Sequence, residues 1–315
     1  MGRLIEGEWV TEDIGTDKTG RFVRRETRFR DRIEANPEAR YPAARGRYHL
    51  YLAHACGWCH RVWLLHQMKG LEDVVSVSFV EPYMGDDGWS FAPGTDPVLK
   101  KALLREVYVA ADAKYTGRVT VPVLWDRETA TIVSNESADI TRFFDRELDA
   151  FAAHPERRMF PEALDAEVSA MIDANYGPVN NGVYRCGFAG SQEAYDEAAH
   201  ALFERLDALE AHLATRRYLV GDTLTAADLF LFPTLYRFDA VYAIHFKCSR
   251  RRLVDYPHLW AFTRDLYQHP GVAETCDLPR TMEHYYASHG SVHPRAYVPL
   301  TPDLDFDAPH GRDAL

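Results

Sequence analysis

The chain has 315 residues, 46% hydrophobic and 26% charged, the composition of a soluble globular protein long enough for two domains. A formal net charge of −11 disfavours general affinity for nucleic acid or an anionic membrane, and leaves a small molecule or a second copy of the chain, as a homodimer, as the expected partner. No stretch approaches the roughly 18 apolar residues of a membrane span and the N-terminus lacks a signal-peptide core, so a cytoplasmic protein is expected.

Residues 1–45 are charged and irregular, with RFVRRETRFRDR the densest basic run, and they read as a solvated extension packed over the core. GRYHLYLAHA alternates as a strand would and delivers the chain to Cys56. Val62, Leu65 and Met68 then recur at helical spacing over 58–68, and Gly70 stops that helix. VVSVSFV at 74–80 is a second strand, followed by a long polar excursion that holds Trp89 and ends in a helix over 97–111. VTVPVLWD (119–126) and TATIVS (129–134) read as two strands joined by a short turn, and NESADITRFFDREL opens a helix at Asn135 or Glu136. Strand, helix, strand, helix, hairpin, helix, with a cysteine at the first strand-to-helix junction, fits an α/β sandwich of thioredoxin type.

From about Pro161 the strand signals stop. Leu202, Leu206, Leu209 and Leu213 mark an amphipathic helix, Thr225 and Asp228 form a capping box before a largely apolar helix, and YPHLWAFTRDLYQHPG is a further helix stopped by Pro270 and Gly271. The second half is predicted to be an all-helical bundle domain, with a polar, disordered tail from about Pro302.

ACGWCHRVWLL (55–65) admits four readings: a dithiol pair, a haem attachment site, half of a zinc site, or one nucleophilic cysteine with an incidental neighbour. A cysteine just before a helix meets exposed N–H groups and the positive end of the helix dipole, which favours thiolate at Cys56, and His60 and Arg61 in the first turn can add positive charge. Haem attachment normally needs an export route, and the strand before Cys56 with the helix after it suits a redox fold better. Zinc lacks a second cysteine pair at ligand spacing; His284, His289 and His293 fall in a predicted loop and read as surface residues. No metal and no haem are therefore expected. Cys186, Cys248 and Cys276 read as small buried hydrophobes, and five scattered cysteines argue against a disulfide framework.

Two further stretches fit a bound thiol peptide. A cis bond before Pro122 would leave the backbone of Val121 to pair with an extended peptide. Glu136 and Ser137 begin a helix, where N–H groups and a hydroxyl can take a carboxylate and the glutamate an ammonium, the two groups of a γ-glutamyl end.

With CGWCHRVWL, VTVPVLWD, IVSNES, NNGVYRCGFA, FDAVYAIHFKC and HYYASH, the chain from about Gly46 to Pro299 resembles the xi class of the glutathione transferase superfamily, the glutathionyl-hydroquinone reductases. That resemblance implies a thioredoxin-like thiol-binding domain at 46–150, an all-helical substrate domain at 161–299 and a flexible tail at 300–315. It implies Cys56 as the catalytic nucleophile, a glutathione pocket of Trp89, Arg118, Val121, Glu136 and Ser137, and Tyr184 and Tyr285 as catalytic contacts to the aromatic substrate. The chain departs from the family's common Cys-Pro-Trp-Ala in having Cys-Gly-Trp-Cys, which introduces Cys59 as a possible resolving thiol. Two alternatives stay open: a dithiol-disulfide oxidoreductase cycling Cys56 and Cys59, and a family member using a low-molecular-weight thiol other than glutathione.

Overall fold

The computed structural model describes residues 2–12, 15–24 and 26–315; Met1, Asp13, Ile14 and Arg25, all in the expected N-terminal extension and its basic run, lie outside the described residues. The chain divides into two compact units, a sheet unit built largely from the residues up to 157 and a helical unit from residue 158 onward. Residues 15–24 belong to the helical unit.

The sheet unit centres on four strands, β3 (Tyr48–Leu52), β4 (Val75–Phe79), β6 (Val123–Asp126) and β7 (Thr131–Ser134), in the order β4-β3-β6-β7. β3 pairs with β4 in parallel and with β6 antiparallel, and β6 with β7 antiparallel, the mixed sheet of a thioredoxin-like domain. Every side chain of β3 is buried, as expected of a central strand covered on both faces. α1 (Gly57–Met68) and α3 (Ser137–Glu147) pack against each other beside the sheet. His49 is enclosed on β3 between Ser76 Oγ at 2.7 Å and Ser78 Oγ at 2.8 Å, and burial pushes its imidazole down to about 4.

Three local expectations change. The first 45 residues are not wholly irregular: β1 (Gly2–Ile5) and β2 (Glu8–Thr11) form a hairpin that turns at Glu6 and Gly7, both with positive φ, and β1 also pairs with β5 (Gly117–Arg118). The helix expected over 97–111 starts only at Leu104, as α2 (Leu104–Ala111). The Asp96 carboxylate accepts the backbone N–H groups of Val98, Leu99 and Lys101, which coils residues 97–101 around it and competes with helix formation. The strand expected over 119–126 pairs only from Val123, because Pro122 has no N–H for the ladder.

The helical unit comprises α4 (Asp165–Asn175), α5 (Gly182–Gly187), α6 (Gln192–Leu213), α7 (Ala226–Arg237), α8 (Pro257–Tyr267) and α9 (Leu278–Ser288). π-helical turns at Tyr176–Asn180 and Phe238–Tyr242 extend α4 and α7. The Thr225 and Asp228 capping box is present, and α7 is buried all round. The C-terminal residues are held rather than flexible. Phe306 stacks among Tyr236, Trp260 and Tyr267, while Arg312 is 2% exposed and donates to Leu213 O at 3.1 Å and Arg217 O at 2.9 Å. Polar composition misleads there because one phenyl ring and one guanidinium carry the docking. The histidines expected in a surface loop are also placed differently: His284 lies on α9, and it is buried with His289 and His245. No helix among the described residues is long and apolar enough to cross a membrane.

Candidate active site

β3 ends at Leu52, and the chain turns through 53–55 to place Cys56 as the N-cap of α1. Its backbone is extended and its sulfur accepts the N–H of Cys59 at 3.3 Å, the place that a serine or aspartate oxygen takes in most helices. A sulfur held on a helix-end N–H is stabilised more as thiolate than as thiol. Cys56 is half-buried, whereas Cys59 is 1% exposed. His60 and Arg61 are both buried, and the Arg61 guanidinium lies over the Trp58 ring at 5.6 Å.

The second stretch meets the first here. The Val121–Pro122 bond is cis, and the Cys56 thiol faces Val121 O at 3.6 Å. Ser137 opens α3 but does not cap it. The cap is Glu136, whose Oε1 accepts the Ala138 N–H at 3.2 Å and whose Oε2 takes the Thr27 hydroxyl at 3.4 Å. Ser137 is 1% exposed, with its hydroxyl 3.5 Å from Glu136 Oε1.

Trp89 and Arg118 come from other segments of the sheet unit. Trp89 is buried in the segment before α2, its carbonyl accepting the Leu104 N–H at 2.9 Å. Arg118 lies on β5, with its guanidinium 3.2 Å from Glu12. Sequence reasoning missed Tyr108. This buried hydroxyl of α2 donates to Thr120 O at 2.8 Å and receives the Asn135 amide at 3.0 Å, so one side chain holds the residue before Val121 and the residue before Glu136. Its burial at helical spacing with Leu104 and Val107 was the available signal, and such a pattern usually means packing.

In the helical unit, Tyr184 of α5 and Tyr285 of α9 meet hydroxyl to hydroxyl at 2.6 Å. Tyr242, at the end of its π-helical turn, adds a third hydroxyl 3.2 Å from that of Tyr285. Burial and the two neighbouring hydroxyls push Tyr285 well above the ordinary phenol range, so at neutral pH it is a hydrogen-bond donor and not a phenolate. The Arg24 guanidinium lies 5.1 Å over the Tyr184 ring and donates to Asn181 Oδ1 at 2.9 Å. Neither Tyr242 nor Arg24 was singled out from sequence, although Tyr242 lies within FDAVYAIHFKC. The basic run is largely consumed by pairing, with Arg21 on Glu197 and Arg30 on Asp139, so it reads as solvated structure and not as an anion site.

A cysteine capping the first helix of a thioredoxin-like sheet, in a chain that continues into a separate helical unit, defines a glutathione transferase fold. The chain belongs to the xi class of the glutathione transferase superfamily. Residues 55–147 match the glutathione S-transferase N-terminal domain and residues 192–265 its C-terminal domain. The chain is 46% identical to the glutathionyl-hydroquinone reductase PcpF of Sphingobium chlorophenolicum, with 96% of each chain covered. It is 44% identical to the glutathionyl-hydroquinone reductase YqjG of Escherichia coli, with 99% of each covered. The glutathione-bound structure of YqjG superposes with a TM-score of 0.89 at 42% identity, over 99% of each chain. The xi class structure from Natrialba magadii gives a TM-score of 0.94 at 47% identity, covering 100% of this chain and 97% of that one.

Proposed function

We propose that the protein is a glutathione-dependent reductase of glutathionyl-hydroquinones. The observation that carries this reading is the Cys56 sulfur seated on the N-terminal N–H of α1, in a chain 44–46% identical over nearly its whole length to reductases of that name. The Cys56 thiolate attacks the sulfur joining glutathione to the ring; the S–S bond forms, the carbon–sulfur bond breaks, and hydroquinone leaves after its carbon takes a proton. A second glutathione then attacks the Cys56 mixed disulfide, releasing oxidised glutathione and restoring the thiolate. Carbon is a poor leaving group unless the ring adopts its keto form. Tyr184 and Tyr285, as neutral donors to ring oxygens, favour that form in the manner of an oxyanion hole.

In the same reading Val121 pairs with the backbone of glutathione, Glu136 takes its ammonium and the α3 N-terminus with Ser137 its carboxylate, with Trp89 and Arg118 completing the pocket. Residues 46–150 form the thiol-binding domain and 161–299 the substrate domain. A cytoplasmic homodimer is the expected working form.

A dithiol cycle is the second reading, allowed by the three-residue spacing of Cys56 and Cys59; the Cys59 group that meets the Cys56 sulfur is its backbone N–H and not its thiol. Intact mass after incubation with a glutathionyl-hydroquinone and no free thiol separates the two. A persistent glutathione adduct on Cys56 is expected; loss of two hydrogens with no adduct would replace the proposal with internal resolution by Cys59.

A further inference from the structure

The three hydroxyls of the helical unit form a chain that can run in either direction. Tyr285 Oη stands in the middle, 2.6 Å from Tyr184 Oη and 3.2 Å from Tyr242 Oη. Their rings come from α5, from the π-helical turn Phe238–Tyr242 and from α9. Each phenol has one proton to donate and lone pairs with which to accept, so distance alone does not say which oxygen donates in either contact. Exposure separates the two ends. Tyr242 is 1% exposed and Tyr285 2%, whereas Tyr184 is only half-buried, so a ligand meets the chain from its Tyr184 end.

The inner end is held in place. The Tyr242 ring stacks on Phe246, with centroids 5.6 Å apart and planes at 16°, and meets the Tyr285 ring edge-on at 5.7 Å. Tyr286 Oη donates to Ala240 O at 3.0 Å, which ties α9 to the π-helical turn, and Cys248 N donates to Tyr242 O at 3.0 Å. A Cβ on Gly187 would lie 2.1 Å from Cδ1 of Phe246, so only glycine lets α5 approach that ring this closely. A tyrosine that served only to fill this space would need no hydroxyl.

We propose that Tyr242 is a positioning residue of the reductase: its hydroxyl donates to Tyr285 Oη and so leaves the protons of Tyr285 and Tyr184 for the oxygen of the substrate ring. This role presupposes the reductase activity proposed for the site. With Tyr242 donating, the chain runs from Tyr242 to Tyr285 to Tyr184, each bond polarises the next, and the outermost proton points at the ligand. A ring oxygen takes the Tyr184 proton, and takes the Tyr285 proton as well when it seats between the two, while the bond from Tyr242 persists. Without Tyr242, the buried Tyr285 Oη keeps one hydroxyl neighbour among the described residues, Tyr184. A buried acceptor without a donor is costly, so the Tyr184 proton turns inward to supply it and the ring loses that donor. Tyr242 thus acts through Tyr285 and touches no substrate.

The test is a double-mutant cycle on the full chain, with a glutathionyl-hydroquinone and glutathione as substrates. Tyr242→Phe keeps the ring and should lower kcat about 10-fold while the KM for glutathione holds. In a Tyr184→Phe background the same change should cost less than about twofold, because the proton that it misdirects is already gone. Losses that multiply, or a Tyr242→Phe enzyme as fast as wild type, would overturn the role of Tyr242 and leave the reductase activity standing. No turnover by the wild-type enzyme would overturn both. Incorporation of 3-fluorotyrosine in place of Tyr242 decides the matter even if Tyr242→Phe does not fold: this stronger donor on the same ring should raise kcat, and an equal or lower kcat would overturn the role.

Discussion

The sulfurs of Cys56 and Cys248 meet opposite surroundings. Cys56 is half-exposed at a helix end and accepts an N–H, whereas Cys248 is 0% exposed and burial pushes its thiol up. The contrast extends to the two units. In the sheet unit the polar groups that matter stand at the starts of helices, at Cys56 and Glu136, where backbone N–H groups lack partners of their own. In the helical unit they are side-chain hydroxyls brought together from three separate segments, at Tyr184, Tyr242 and Tyr285. A helix end needs only local chain to create its field; a hydroxyl cluster needs the whole bundle. In the proposed reading, nucleophile and peptide binding belong to the first kind of site, and recognition of a rigid ring to the second.

Removing the sulfur breaks the comparison most severely. Cys56→Ser should lower reduction of a glutathionyl-hydroquinone by at least about 10³-fold with circular dichroism unchanged, since a serine hydroxyl stays protonated near neutral pH. A few per cent of residual rate would show that the helix-end sulfur is not the nucleophile.

The hydroxyl cluster comes next. Tyr184→Phe combined with Tyr285→Phe should reduce kcat about 10²-fold while the KM for glutathione holds, as expected for donors acting on the ring in the transition state. Unchanged turnover would reduce the cluster to packing.

Glu136→Ala should act on the other parameter, raising the KM for glutathione about 10-fold or more at similar kcat, from loss of a charged hydrogen bond worth about 1.5–3 kcal/mol. An unaltered KM would place the ammonium elsewhere.

The smallest effect concerns pH. Burial holds His49 of the sheet unit neutral, down to about 4, and His245 of the helical unit down to about 3, against an ordinary 6.5. Between 6.5 and those values the unfolded chain binds protons that the folded chain refuses. The stability from these neutral imidazoles is therefore complete above 6.5 and declines as pH falls below it, by about 1 kcal/mol per residue at pH 5.5. Denaturant unfolding at pH 7.5 and 5.5 should show that loss, and His49→Gln should lessen it. Equal acid sensitivity in the variant would remove the sheet histidine from the account.

How much of this was legible depended on the range of the interaction. Cys56 as the cap of α1, the capping box of Thr225 and Asp228, and the helix beginning beside Glu136 are local patterns, because a cap is decided by residues within one turn and by backbone groups that every helix leaves unpaired. The tyrosines were named through a resemblance and not from periodicity, since nothing near Tyr184 says that Tyr285 lies 2.6 Å away. Four-residue strands such as β1 and β2 fell below what alternation can reveal, and α2 was shortened by one carboxylate, Asp96, gathering three N–H groups.

The sequence by itself determined the order of the main elements from Tyr48 to Glu147, the change from strands to helices and the helix-end position of Cys56, all products of short-range hydrophobic period and backbone valence. Tertiary structure alone decided the docking of Phe306 and Arg312, the bridge that Tyr108 makes from Thr120 to Asn135, the burial of His245 with His289, and the close approach of Gly187 to the Phe246 ring. Those depend on close packing between distant segments, where a missing Cβ at Gly187 or a single buried hydroxyl sets which side chains meet.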